Sequence, residues 1–158
     1  MKKEEYKDLE FTFDEEIGVT ICQMKYDNAY FYGDAQCAKE DMDMVNKKTG
    51  EEIAFNRAYI EVMRHERDVL KTELRALNSL YYSIKHSKKY NPKSYEACML
   101  RRQIRMREGD IALLKEDIKM TKEYIKRYID EKDKFYKEMR NIRKKKQLEE
   151  EHAEDNEN

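Results

Sequence analysis

The chain has 158 residues, of which 42% are charged, with one proline, four glycines and no tryptophan. This composition is typical of long solvated helices and disfavours a compact sandwich or barrel. The formal net charge is −1, which argues against a chain that is basic throughout and binds nucleic acid along its whole surface. No apolar run approaches the ~18 residues that a transmembrane helix needs, so we expect a soluble cytoplasmic protein with no membrane contact.

Residues 1–50 predict a small β head that leads into the first helix. Alternating apolar residues indicate one strand over 9–13 and a second over 17–25. Tyr26-Asp27-Asn28 has the composition of a turn, because Asp and Asn tolerate left-handed backbone. The aromatic residues that follow favour a return strand from Ala29 to Ala35.

Two long heptad series follow, and in both the steps alternate between three and four residues. Thr49 and Glu52 match a capping box at the start of the first helix, which we expect to end near Lys85. The core positions of the first helix are Ile53, Asn56, Ile60, Met63, Arg67, Leu70, Leu74, Leu77, Tyr81 and Ile84.

The second helix is predicted to open after Pro92, with Ser94 as its cap, and to continue to about Lys146. Gly109 interrupts it at a cost of ~1 kcal/mol relative to alanine. Residues 147–158 carry six acidic residues and no base, and we expect a disordered acidic tail. The core positions of the second helix are Ala97, Leu100, Ile104, Arg107, Ile111, Leu114, Ile118, Thr121, Ile125, Tyr128, Lys132, Phe135, Met139 and Ile142.

The short loop forces the two helices to run antiparallel, and residues 51–146 therefore predict a coiled-coil hairpin. If paired residue numbers sum to 181, core positions of one helix meet core positions of the other, as for Leu70 with Ile111. Arg67 and Arg107 must then lay their stems along the core and lift their charges to water. The predicted fold class is α+β, mostly α: a small antiparallel sheet followed by a long antiparallel coiled-coil hairpin.

Further apolar residues recur at steps of seven outside this core, which favours a homodimer built as a four-helix bundle. The alternative is that they are scattered surface residues, which are common in soluble proteins. The candidate dimer interface is Met99, Met106, Leu113, Met120, Val62 and Val69.

A motif in the head runs Gly33-Asp34-Ala35-Gln36-Cys37, Asp41, Gly50, Ile53-Ala54 and Arg57-Ala58. It resembles small phage and bacterial proteins with the pattern G-x-A-x-C … G-x-x-I-A-x-x-R-A over residues 17–58. Their heads are similar to the β-β-β-α half of a double-stranded-RNA-binding domain. Glu51 and Glu52 stand where such domains aim lysines at phosphates, so we expect packing or protein recognition instead. The small residues of the motif, Gly33, Ala35, Gly50, Ala54 and Ala58, suit close packing of the helix on the sheet. The second helix extends past the start of the first, and we expect Phe135, Met139 and Ile142 of this overhang to pack on the strands or on a second copy.

Charge is distributed unevenly, with a net of −7 over residues 1–52 and +12 over residues 53–146. The loop between the helices and its flanks form the most basic part, with tyrosines interleaved. Such a pattern is typical of a surface that binds an acidic protein or single-stranded nucleic acid. The alternative is a solvated, highly charged end of a coiled coil that binds nothing. The candidate binding residues are Lys85, Lys88, Lys89, Tyr90, Lys93, Arg101, Arg102 and Arg105.

No spacing of Cys, His, Ser or acidic residues matches a catalytic, metal or phosphate-binding motif, so we expect no enzyme, cofactor or metal. The leading hypothesis is a viral accessory protein of phage or mobile-element origin. It would bind a host protein in the host cytoplasm and inhibit it, for example a defence nuclease. The alternative is a DNA-binding or other nucleic-acid-binding protein that uses the basic hairpin end.

Overall fold

The computed structural model describes residues 8–44 and 46–155, which form a three-stranded sheet followed by two long helices. The predicted fold class, α+β and mostly α with a helical hairpin, is confirmed. The strands, in both chain and sheet order, are β1 (Leu9–Asp14), β2 (Val19–Tyr26) and β3 (Ala29–Gln36). A 3₁₀ helix (Lys39–Met44) connects them to the helices α1 (Lys47–Lys85) and α2 (Tyr95–Asp155).

The sheet is an antiparallel meander with one face on α1 and the other in solvent. Asp27 and Asn28 have φ of 45° and 62°, which fits the turn type whose twist matches a β-hairpin. Along β2, Thr20, Cys22 and Met24 are buried, while the alternate side chains are exposed or half-buried. The period of two thus directs one set of side chains toward the helix.

Close contact between β3 and α1 determines how the sheet packs on the helix. A Cβ atom added at Gly33 would lie 2.1 Å from the Ala54 carbonyl oxygen and 2.3 Å from the Ala58 nitrogen. Ala54 and Ala58 are fully buried, as is most of Ala35. At the start of α1, Gly50 lies against the Thr20 side chain. Small residues let the helix backbone approach the strand closely.

The first helix begins earlier than the predicted capping box, and the prediction of Thr49 as its cap is wrong. Asn46 is the cap, and its side-chain oxygen accepts a hydrogen bond from the Thr49 N–H at 3.2 Å. Asn in extended backbone can accept from the first turn as well as Ser or Thr can, so the helix starts at Lys47.

The two helices pack along the predicted heptad positions. Every core position is buried or half-buried in α1, from Ile53 to Ile84, and in α2, from Ala97 to Lys132. Ile60, Met63, Ile118 and Ile125 form a buried cluster, which brings together the expected pair Met63 and Ile118. The heptad spacing therefore describes the interface between α1 and α2.

Beyond Lys132 the half-buried residues of α2 only partly coincide with the predicted heptad positions. Phe135 is 52% exposed and Ile142 is 49% exposed, whereas Tyr136 and Met139 are half-buried. Packing of Phe135 on the head is therefore not observed within the chain. No residue of α1 remains to hold a 3.5-residue repeat there, so a straight helix drifts from the heptad register.

The described part of α2 also extends to Asp155, past the expected end near Lys146. Gln147, Leu148 and Glu149 have good helix propensity, which favours continuation of the helix past Lys146. The side chains of residues 141–149 are all exposed. Residues 147–155, which we expected to be disordered, are therefore helical.

Candidate functional site

The hairpin tip (residues 85–107) is closed by a compact turn. His86 caps α1 by donating its backbone N–H to the Tyr82 carbonyl at 3.1 Å, and its ring lies 4.0 Å from the Tyr82 ring. Ser94 caps α2, as predicted, because its hydroxyl accepts a hydrogen bond from the Ala97 N–H at 3.3 Å. Both helix ends are therefore satisfied by residues of the loop.

Arg101 holds the loop from inside. Its guanidinium donates to the carbonyl oxygens of Pro92 and Ala97 and approaches the Cys98 sulfur at 3.4 Å. The pKa of Arg101 is raised, first through its hydrogen bond with Cys98. Of the predicted binding residues, Arg101 is thus committed to a structural role, which its position in the sequence alone did not indicate.

Tyr90, another predicted binding residue, also turns inward. Its hydroxyl lies 3.2 Å from the hydroxyl of Tyr81, the last but one core position of α1. This hydrogen bond is the main reason that the pKa of Tyr90 is raised. The contact ties the loop to the helical core and leaves Tyr90 half-buried.

The remaining six predicted binding residues are basic and face solvent. All six are exposed, and the described part of the chain contains no ion pair to any of them. They are Lys85, Lys88, Lys89, Lys93, Arg102 and Arg105.

Other side chains of the tip separate into structural and exposed groups. Arg107 joins the helices, with its Nε 2.8 Å from an oxygen of Glu73, and it also pairs with Asp110 at 3.4 Å. Tyr82 and Tyr95 are exposed, by 65% and 74%. The tip therefore combines unpaired cations with exposed aromatic rings on a closed helical end.

The predicted dimer residues lie in three different environments. Val62 is 1% exposed and belongs to the core between α1 and the sheet, so it cannot contact a second copy. Val69 is 43% exposed and lies beside the β2–β3 turn, and Met99 is half-buried. The burial of Val62 follows from the sheet packing on α1, which the heptad pattern did not specify.

The other three predicted dimer residues form an exposed row. Met106, Leu113 and Met120 are 54%, 67% and 55% exposed. They recur every seven residues of α2, on the side opposite the buried Ile111 and Ile118. These three side chains therefore form a row of apolar surface along one side of α2 that is exposed in the single chain.

A cleft in the head lies between the 3₁₀ helix, the start of α1 and the overhanging part of α2. Asp41 is 5% exposed, and one of its oxygens lies 3.4 Å from the Arg140 Nε. Burial is the main reason that the pKa of Tyr136 in the same cleft is raised. We assign this cleft to the attachment of α2 to the head, since its buried carboxylate faces a cation of α2.

Among residues 8–44 and 46–155, no group of three or more His, Cys, Asp or Glu is placed to hold a metal ion. Within the same residues, neither long helix contains a stretch apolar enough to span a bilayer. A scan against protein-family models, a search of curated proteins and a search of solved structures each found no match.

Proposed function

We propose that this protein is a non-enzymatic binding protein whose hairpin tip docks on an acidic surface of a protein partner. The observation that supports this most directly is the set of six exposed cations at the tip, which have no carboxylate partner in the described part of the chain. Charges left unpaired within a fold are free to complement another molecule.

The shape of the molecule supports docking by the tip alone. The sheet reaches along α1 as far as Glu66, which accepts a hydrogen bond from the Tyr26 hydroxyl. The part of the hairpin beyond Glu66, which we call the arm, continues to the end of α1 at Lys85, a length of ~28 Å at 1.5 Å per residue. A partner can therefore bind the basic tip without approaching the acidic residues of the head. An arm of this kind would block its partner sterically.

The charge of the head favours a protein partner over a nucleic acid. Residues 1–52 carry 14 acidic residues against seven basic ones. A long polyanion that followed the arm would meet this acidic region, whereas a protein with a local acidic patch would not. We therefore place the nucleic-acid hypothesis second.

One observation supports nucleic-acid binding as the second candidate function. Tyr82 and Tyr95 are 65% and 74% exposed, and in sequence they lie close to the cations of the tip. Aromatic rings beside Lys and Arg are the combination on which single-stranded bases stack. The tip could accommodate a short single strand, and a gel-shift measurement distinguishes this candidate from the first.

The biological setting that we propose follows from the resemblance of the head to phage and bacterial proteins. In that setting the chain is a phage or mobile-element accessory protein that acts in the host cytoplasm and inhibits a host protein, such as a defence nuclease. We also propose that it acts as a homodimer, because the row of Met106, Leu113 and Met120 remains exposed in the single chain.

Charge reversal at the tip tests the proposed function. The variant Lys88→Glu with Lys89→Glu should lose at least ~10-fold in affinity for a partner purified from bacterial lysate, measured by calorimetry at two salt concentrations. The control Lys115→Glu with Lys126→Glu makes the same charge change at exposed positions of α2 and should bind normally.

The same variants separate the two candidates. If the wild type shifts a single-stranded oligonucleotide at low salt and the tip variant does not, the second candidate is favoured. If both pairs of substitutions leave partner binding unchanged, the tip is not the binding site and the proposal is wrong.

A further inference from the structure

A ridge of exposed side chains follows one side of α2, at alternating steps of four and three residues. We define the α2 ridge as Arg102, Met106, Gly109, Leu113, Glu116, Met120 and Glu123. We infer that two copies of the chain pair through this ridge, antiparallel and centred on Leu113. The inference rests on the proposed homodimer and shares one residue, Arg102, with the basic tip.

The ridge is symmetric about Leu113 in its apolar residues. Met106 and Met120 lie seven residues before and after Leu113, and all three are more than half exposed. Two antiparallel copies would place Met106 of each against Met120 of the other, with the two Leu113 side chains at the centre. Every exposed apolar residue of the ridge then has an apolar neighbour.

The charges of the ridge select the antiparallel direction. Arg102 lies at one end of the ridge, ~16 Å from Leu113 along the helix, and Glu123 lies ~15 Å away at the other end. An antiparallel pair therefore brings Arg102 of each copy close to Glu123 of the other. A parallel pair would instead place each of these charges beside its own kind, which is unfavourable.

Gly109 supplies the space for a second helix. A Cβ atom built at this glycine would meet nothing within 4 Å, so no contact inside the chain requires glycine here. Glycine in the middle of a helix lowers helix stability relative to alanine. On the α2 ridge, its missing side chain lets the backbone of the second copy come close beside Leu113, as small residues do at helix crossings.

The first part of the test measures self-association. Sedimentation equilibrium over a wide range of concentration should give a dimer, and Leu113→Glu should weaken it by at least ~10-fold. Leu113 is 67% exposed, so this variant should keep the far-ultraviolet circular dichroism and thermal unfolding of a folded chain. A monomer at all concentrations would overturn the proposed dimer together with the arrangement inferred here.

The second part tests the arrangement by disulfide crosslinking in a Cys98→Ser background, since Cys98 is exposed. Leu113→Cys should crosslink to its own copy. Met120→Cys should not, because the two copies of position 120 would lie ~21 Å apart along the antiparallel pair. A mixture of Met106→Cys and Met120→Cys chains should form the mixed crosslink.

The crosslinks distinguish the two failures. Efficient crosslinking of position 120 to itself, in a protein that is a dimer, would indicate a parallel pair and overturn the inferred arrangement alone. Charge reversal adds an independent check: Arg102→Glu and Glu123→Arg should each weaken the dimer, and the double variant should restore most of the wild-type affinity. Absence of restoration would contradict the pairing of these two residues.

Discussion

At the scale of single residues, Gly33 decides how closely the helix lies on the sheet. The nearest atoms to an added Cβ are backbone atoms of Ala54 and Ala58, at 2.1 and 2.3 Å. Backbone of a long helix cannot give way as the end of a flexible side chain can, so the glycine is required by packing. Gly109 has no such neighbours, which makes the two glycines a matched pair for experiment.

Gly33→Ala should destabilise the fold by ~3 kcal/mol, because the strand and α1 must separate to admit one methyl group. Gly109→Ala should stabilise the helix by up to ~1 kcal/mol. Urea unfolding of dilute protein, followed by circular dichroism, measures both changes. Equal effects of the two substitutions would mean that the contact between β3 and α1 is looser than the structure describes.

At the scale of elements, apolar burial outweighs surface charge in holding the hairpin together. Ile118 is 7% exposed and lies in a cluster with Ile60, Met63 and Ile125. The ion pair between Arg107 and Glu73 joins the same two helices, but both side chains are about 40% exposed or more. Water screens such a pair, and its contribution to stability is small.

We therefore expect Ile118→Ala to cost ~3 kcal/mol and Glu73→Ala to cost less than ~1 kcal/mol. Urea unfolding of each variant, compared with the wild type, provides the measurement. High salt should reduce the effect of Glu73→Ala and leave that of Ile118→Ala unchanged. A larger loss for Glu73→Ala than for Ile118→Ala would show that ionic contacts dominate the hairpin.

At the scale of the whole molecule, the ion pair of Asp41 with Arg140 connects the head to the far part of α2. Asp41 is almost fully buried, whereas the side chain of Arg140 is 32% exposed. Part of this pair is therefore shielded from water, and removal of the cation leaves a buried carboxylate without a counter-charge. The pair joins residues about a hundred positions apart in the sequence.

Arg140→Ala should destabilise the protein by ~2 kcal/mol, less than for a fully buried pair because water reaches the arginine. Arg127→Ala, at an exposed position of the same helix, is the control and should change stability little. Thermal unfolding at neutral pH measures both. If the two variants unfold at the same temperature, the Asp41 contact does not anchor α2 to the head.

Much of the fold could be predicted because it depends on short-range periodicity. The alternation in Thr20, Cys22 and Met24 and the left-handed turn at Asp27 and Asn28 are local signals. The cap at Asn46 is also local, but Thr49 is an equally plausible cap and the sequence does not decide between the two. Other features depend on where the chain brings distant groups, such as the ion pair of Asp41 with Arg140.

The candidate binding site was predicted in composition but not in geometry. The excess of Lys and Arg in residues 85–107 is visible in the sequence, as is their mixture with tyrosine. The inward turns of Arg101 and Tyr90 depend on the path of the loop, which places the Pro92 carbonyl and the Tyr81 hydroxyl within reach. A charge pattern cannot distinguish a cation that holds a loop from one that faces solvent.

By itself the sequence determined the three strands, the two helices and the antiparallel pairing between them, because each follows from the spacing of apolar residues along one chain. The tertiary structure alone decided which apolar residues outside that pairing are covered. The sheet buries Val62, while Met106, Leu113 and Met120 stay in solvent. Spacing places a residue on one side of its helix, but which other element covers that side is settled only when the whole chain packs.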